Sequence, residues 1–158
     1  MRALGVNATG TTMWLACADD GAIVDTTPYQ LDVPAGLERG LQLVGLLDEC
    51  TRVLEKLSPG AVAILNPEST ARITSFGSVR ARVTGEVMLS LAAAKLGLPC
   101  RYISRPTVRS VLKLGTRGRL SDVVTNATGV QLRPHWKGER DLAALTALAL
   151  REDADAAR

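Results

Sequence analysis

The sequence predicts an α/β domain: a mixed five-stranded sheet, with three antiparallel strands first, further strands added by helical crossovers, and helices on both faces. Three observations predict it. Short β-prone runs near the N-terminus are divided by tight-turn residues. Ala61 to Leu65 is an uninterrupted apolar run of strand length, as a central strand covered on both faces requires. Long segments on either side of that run carry apolar residues at three- and four-residue steps, the spacing of one helix face.

Arg2 to Asn7, Thr11 to Ala18 and Ala22 to Thr27 are the first three strands. Ala8-Thr9-Gly10 separates the first pair. Asp19-Asp20-Gly21 separates the second, and its Asp-Gly step is a strong hairpin signal. From Ala35 to Leu57 the residues Leu37, Leu41, Val44, Leu47, Cys50, Leu54 and Leu57 mark one face of a long helix, which Ser58-Pro59-Gly60 ends. After the central strand, a helix from Val79 to Leu96 stops at Gly97 and leads to a strand near Pro99 to Ser104. Arg105 to Asn126 is basic, Gly-containing and partly helical, and Glu139 to Arg151 is a last helix rich in Ala and Leu. The chain reads as one domain over residues 1–151 with a polar tail, 152–158. In such a sheet the first and fourth strands end side by side. Asn7 and Asn66 then lie close together, and the start of the last helix, Glu139-Arg140-Asp141, can reach the same crevice.

Composition narrows the function classes. The aromatics are Trp14, Tyr29, Phe76, Tyr102 and Trp136, too few and too scattered to form a ladder for stacking single-stranded bases. Cys17, Cys50 and Cys100 are odd in number, widely spaced and set in apolar surroundings, so buried free thiols are expected rather than a disulfide framework or a zinc site. There is no leader pattern and no apolar run near the ~20 residues of a membrane span. A cytoplasmic protein with no membrane partner is expected, and the N-x-T sequons at Asn7 and Asn126 are then coincidental.

The net charge of +3 hides an uneven distribution. Between residues 66 and 119, Arg72, Arg80, Arg82, Lys95, Arg101, Arg105, Arg109, Lys113, Arg117 and Arg119 face only Glu68 and Glu86, a local balance of +8 that leaves −5 for the rest of the chain. Such clustering points to phosphate, and Arg72, Arg80, Arg82, Arg105, Arg109, Lys113, Arg117 and Arg119 are the candidate nucleic-acid contacts. A solvated helix face accounts for Arg72, Arg80 and Arg82 nearly as well. Fifteen of the 19 basic residues are arginine, which a GC-rich coding bias explains as readily as selection for phosphate contacts. In RPHWKG, His135 has no acidic or Cys partner in sequence, so a loop whose Trp136 caps the core is the simpler account, although Arg133, His135 or Lys137 could touch a phosphate.

The stretch Gly5-Val6-Asn7-Ala8-Thr9-Gly10-Thr11-Thr12 follows the first apolar residues directly. An apolar strand running into a polar residue and a Gly/Thr turn is how several metal-dependent and phosphate-handling folds present their first acidic ligand. Here that position holds an amide. Gly-Thr-Thr also fits a phosphate loop of the actin and sugar-kinase type. Those proteins, however, begin the motif with Asp and need two such domains around the nucleotide. A hairpin with β-branched residues entering the next strand explains Gly-Thr-Thr more simply.

Taken in order, GVNATG, AVAILNPES, RYISRPTVRSVLKLGTRGRLSDVV and ERDLAALTALAL resemble the ribonuclease H-like superfamily, and within it the Holliday-junction resolvases of the RuvC type. The resemblance covers most of the chain. It implies an Asp where Asn7 stands and a Glu where Asn66 stands, and it keeps Asp141 while replacing a second acid nearby. The chemistry it implies is two-metal phosphodiester hydrolysis, in which carboxylates hold paired Mg²⁺ or Mn²⁺ ions about 3.5–4 Å apart. A neutral Asn oxygen can ligate a cation but cannot bridge two with anionic oxygens. With Asn7 and Asn66 as degenerate catalytic positions, the resemblance implies a pseudo-nuclease that binds nucleic acid and needs no metal. The alternative is an active Mg²⁺- or Mn²⁺-dependent endonuclease in which Glu68, Glu139 and Asp141 supply the catalytic carboxylates. Glu68 as a loop acid and Glu139 as a helix-start charge are the plainer readings of those two residues. A third reading is a protein-interaction domain whose basic stretch is merely solvated. A homodimer is also expected: the helix from Val79 to Leu96 carries an apolar stripe, Val83, Val87 and Leu91, beside Ala92 to Ala94, and relatives pair through the corresponding helix.

Overall fold

The computed structural model describes residues 1–34, 39–67, 75–123 and 138–156. Strands β1 (Ala3–Thr9), β2 (Thr12–Asp19) and β3 (Ala22–Val24) form the expected meander, with Gly10 and Gly21 at positive φ in the two turns. A short strand that the sequence reading did not separate, β4 (Gln30–Asp32), pairs antiparallel with the start of β2, Met13 lying opposite Leu31. Helix α1 (Arg39–Leu57) leads to β5 (Ala61–Leu65), helix α2 (Phe76–Lys95) to β6 (Cys100–Ile103), and helix α3 (Arg105–Val111) and a 3₁₀ turn (Leu120–Asp122) precede the last helix, α4 (Arg140–Ala156). The sheet runs β3-β2-β1-β5-β6, with β4 on β2; β1, β5 and β6 are parallel, and the β1–β2 and β2–β3 pairs antiparallel. The backbone of α4 runs on to Ala156, into the segment expected as a tail.

Strand alternation divides the core. Leu4, Val6, Met13, Leu15, Val62 and Ile64 face α1 and α2, whereas Ala3, Ala61, Ala63 and Leu65 pack on α3 and α4. Every residue of β5 is buried, as its unbroken apolar run implied. On α1 the buried face is Leu46, Cys50, Val53, Leu54 and Leu57, while Leu41 and Val44 are exposed. Repeated three-residue steps drift about 60° each on a helix of 3.6 residues per turn, so Leu41 lies opposite Cys50. Cys17 and Cys50 are buried free thiols and Cys100 is half-buried; burial pushes Cys50 up to about 12. Among the described residues no helix is long and apolar enough to cross a membrane.

On α2, Ser75 caps the N-terminus by accepting from the Ser78 amide, and Gly97 at positive φ follows the last turn. Val83, Val87 and Leu91 form an outward stripe, each 44–48% exposed. Ala92 and Ala93 face the opposite way, into the main core, so only Ala94 of the three small residues is exposed. Glu86 is buried on the same helix, its carboxylate 3.5 Å from Arg82, with neither the Oε1 nor the Nε atom of the pair making a hydrogen bond. Burial raises the Glu86 pKa and Arg82 opposes the rise.

Candidate functional site

A glycine sets the site. Gly5 lies at the middle of β1, and a Cβ there would collide with the Ala143 carbonyl and the Ala147 amide of α4. Helix backbone therefore rests directly on strand backbone. Ala143, Ala144 and Ala147, all fully buried, keep the rest of that contact equally thin. This approach brings the first residues of α4 against the carboxyl end of β1.

There the side chains interlock. Asn7, only 3% exposed, donates from Nδ2 to the Glu139 carbonyl at 3.0 Å. Only the amide nitrogen can serve a carbonyl, which fixes how the group is turned. Thr9 donates its hydroxyl to Glu139 Oε2 at 3.0 Å and accepts from Trp14 Nε1 at 3.1 Å. Asp141 is also buried and accepts from two main-chain amides, Gly138 N–H on Oδ2 at 2.9 Å and Leu142 N–H on Oδ1 at 2.7 Å. Burial raises its pKa, the amides of Gly138, Leu142 and Glu139 counter that, and the Glu139 charge adds to the rise. The two bonds serve one main-chain amide just before α4 and one in its first turn.

Arg140, between the two acids, is the residue that sequence reasoning passed over. It is 2% exposed and donates to the Leu15 carbonyl at 2.9 Å and the Thr26 carbonyl at 3.2 Å. The guanidinium also pairs with Asp25 at 3.4 Å and lies over the Tyr29 ring, 5.2 Å from its centre. Its place one turn ahead of the buried Ala144 was the available signal: a long cation on the inward face of a helix must find partners. Arg140 thus pins α4 to β2 and to the chain between β3 and β4.

The register that sets Val6 opposite Ile64 places Asn7 and Asn66 at the carboxyl ends of neighbouring parallel strands. Asn66 is half-buried and its main-chain amide donates to the Ile103 carbonyl; among the described residues no hydrogen bond joins the two side-chain amides. Glu68 lies outside the described residues, as do Arg72, Arg133, His135, Trp136 and Lys137. Among the described residues no three His, Cys, Asp or Glu side chains come together as a metal would require. Among the described residues the donor set, Asn7 with Glu139 and Asp141, is short of the carboxylates that would bridge a pair of divalent cations. Asn7 turns its nitrogen into the site's hydrogen-bond network, and both Asp141 oxygens are engaged by main-chain amides.

Of the basic candidates, Arg80 is exposed with its guanidinium 6.0 Å from the Phe76 ring, and Arg82 is turned to Glu86. Arg105 is half-buried at the start of α3. Lys113, Arg117 and Arg119 are exposed in the segment after α3, whereas Arg109 donates to the Gly115 and Gly118 carbonyls of that segment.

No protein-family model matches the sequence, and no curated protein matches it by sequence. Comparison of folds gives matches. Over 99% of its length the chain is similar to the structure of RuvC from Thermus thermophilus, covering 97% of that chain with a TM-score of 0.76 at 16% identity. The same bacterial protein solved in complex with Holliday junction substrate is matched over 99% of this chain and 96% of that one, with a TM-score of 0.73 and 15% identity. The yeast mitochondrial Holliday junction resolvase is matched over 96% of this chain and 78% of that chain, with a TM-score of 0.62 at 15% identity.

Proposed function

From the chain's RuvC-type, ribonuclease H-like fold, we propose that it is a nucleic-acid-binding protein in which the cleavage site of that fold has become a structural seam between β1 and α4. One observation carries this reading: the buried Asn7 amide donates to the Glu139 carbonyl. A carboxylate in that place has no proton to give and would set its charge against a carbonyl oxygen. The local structure therefore suits the amide and disfavours the acid. The bonds from the Gly138 and Leu142 amides to Asp141 and from Thr9 to Glu139 support the same reading, because they tie both acids into the seam.

Charge supports binding. Lys113, Arg117 and Arg119 present exposed cations within a few residues of one another. The solved complex of the similar Thermus protein contains a DNA junction, and DNA is the partner class proposed for this chain. Duplex and branched DNA should bind in the presence of a chelator, with log K falling linearly against log salt at a slope of about −0.9 for each phosphate contact. Neither DNA should be cut with millimolar Mn²⁺, and Mn²⁺ should leave the melting temperature unchanged. A gain of several degrees with Mn²⁺ together with cleavage would establish a working nuclease; no binding at about 50 mM salt would favour a protein-interaction domain instead.

A second reading concerns assembly. The exposed stripe of Val83, Val87 and Leu91 on α2 supports a homodimer paired through that helix.

A further inference from the structure

The exposed cations after α3 sit on a loop with an unusual internal brace. Leu112 and Leu114 on one side, and the buried Leu120 on the other, pack into the core beneath α3 and α4. Between them residues 115–119 are all exposed, with Lys113 at φ +52° and Gly118 at φ +79° bending the chain. Solvated turns of this kind have few contacts to hold them. Here Arg109 reaches from the last turn of α3 and donates one guanidinium nitrogen to the Gly115 carbonyl and the other to the Gly118 carbonyl, the latter at 2.6 Å. The fork closes the mouth of the turn that carries Arg117 and is followed by Arg119.

We propose that Arg109 is a positioning residue for phosphate recognition: its planar fork holds the 115–118 turn so that Arg117 and Arg119 meet the nucleic-acid backbone already ordered. The proposal rests on the nucleic-acid reading above and divides the basic cluster by role. A residue holding two carbonyls at fixed separation needs guanidinium geometry, which a lysine cannot reproduce. A residue that simply neutralises a phosphate needs charge, which a lysine supplies. Ordering the backbone that carries two long cations before binding lowers the entropy lost on association.

The test is duplex DNA affinity over a salt series for the full chain and its R109K, R109Q, R117Q and R119Q variants. R109K and R109Q should weaken binding alike, by about ten-fold at fixed salt, with slopes within half a contact of the wild type. R117Q and R119Q should each reduce the slope by about 0.9. Lysine that restores wild-type affinity, or an R109Q slope reduced by a full contact, would overturn the assignment and make Arg109 a direct phosphate ligand. Trypsin cleavage after Arg117 and Arg119 supplies a readout independent of DNA. Both Arg109 variants should be cut faster in this loop than the wild type, and unchanged rates would overturn the brace. If the wild type binds no DNA, the nucleic-acid reading fails, and the cleavage rates still decide whether Arg109 orders the turn.

Discussion

Replacing Asn7 by Asp changes one nitrogen to oxygen and leaves shape almost intact, so its consequences isolate what the amide does. The Glu139 carbonyl loses its donor at a site 3% exposed, which costs about 1–3 kcal/mol for the polar group left unmatched. The new carboxylate would also be a buried charge held against the Glu139 carbonyl; an uncompensated buried charge costs about 3–5 kcal/mol. The two costs overlap, because both belong to one broken contact. A total of about 3–5 kcal/mol is a large share of the ~5–15 kcal/mol that holds a domain folded. At about 2–4 °C per kcal/mol, the variant should melt roughly 6–20 °C below wild type at pH 7.5. Burial raises the folded-state pKa of the new acid above its unfolded value. Its ionisation cost is therefore full above that raised pKa and fades as pH falls toward the ordinary aspartate range, where the protonated acid can donate to the carbonyl again. Thermal melts at pH 5 and pH 7.5 measure the difference, which should narrow on acidification. In the companion double variant, Asn7→Asp with Asn66→Glu, two negative charges return to the crevice, and millimolar Mn²⁺ should recover stability by binding the folded state alone. An Asn7→Asp protein as stable as wild type at pH 7.5 would refute the seam and the argument built on it.

Three further outcomes follow from the packing. Gly5→Ala should cost at least several kcal/mol or prevent folding, because the added methyl meets helix backbone that no rotamer change can move; an ordinary melting curve would refute the close approach. For Glu86, whose raised pKa makes stability fall as pH climbs from the ordinary glutamate range through the folded value, Glu86→Gln should remove that slope in urea unfolding measured from pH 4 to 8. Val87→Glu should convert a light-scattering mass of two chains into one without loss of helix content, whereas a wild-type mass of one chain would remove the homodimer.

What the sequence made legible was what periodicity and turn chemistry control. The Asp-Gly hairpin, the buried β5 and the order of crossovers needed only local pattern. The short strand β4 escaped because its three residues show no alternation long enough to read, and it exists only through pairing with β2. The α1 face was misjudged over its first turns because steps of three drift around a helix. At the crevice, strand order was enough to bring β1 and the head of α4 together. It could not tell that Asn7 would donate, that Asp141 would accept from main-chain amides beside it, or that Arg140 would be buried, since each depends on which backbone groups lie within 3 Å. Gly5 shows the limit well: its meaning lies in a helix more than 130 residues away.

The two halves of the proposal, a neutral seam and a basic binding surface, support one another electrostatically. Carboxylates gathered to hold cations would, without those cations, repel a phosphate backbone brought to the same crevice. A site of that kind ties DNA binding to metal. With amides at Asn7 and Asn66, and with Asp141 drawn against main-chain amides at the head of α4, less negative charge opposes the polymer. On this proposal, exposed cations such as Arg117 and Arg119 would act without a metal to offset the crevice. The same amides that would disfavour cleavage would, on this proposal, favour metal-independent binding, and a chelator should separate this chain from an active nuclease of the same fold.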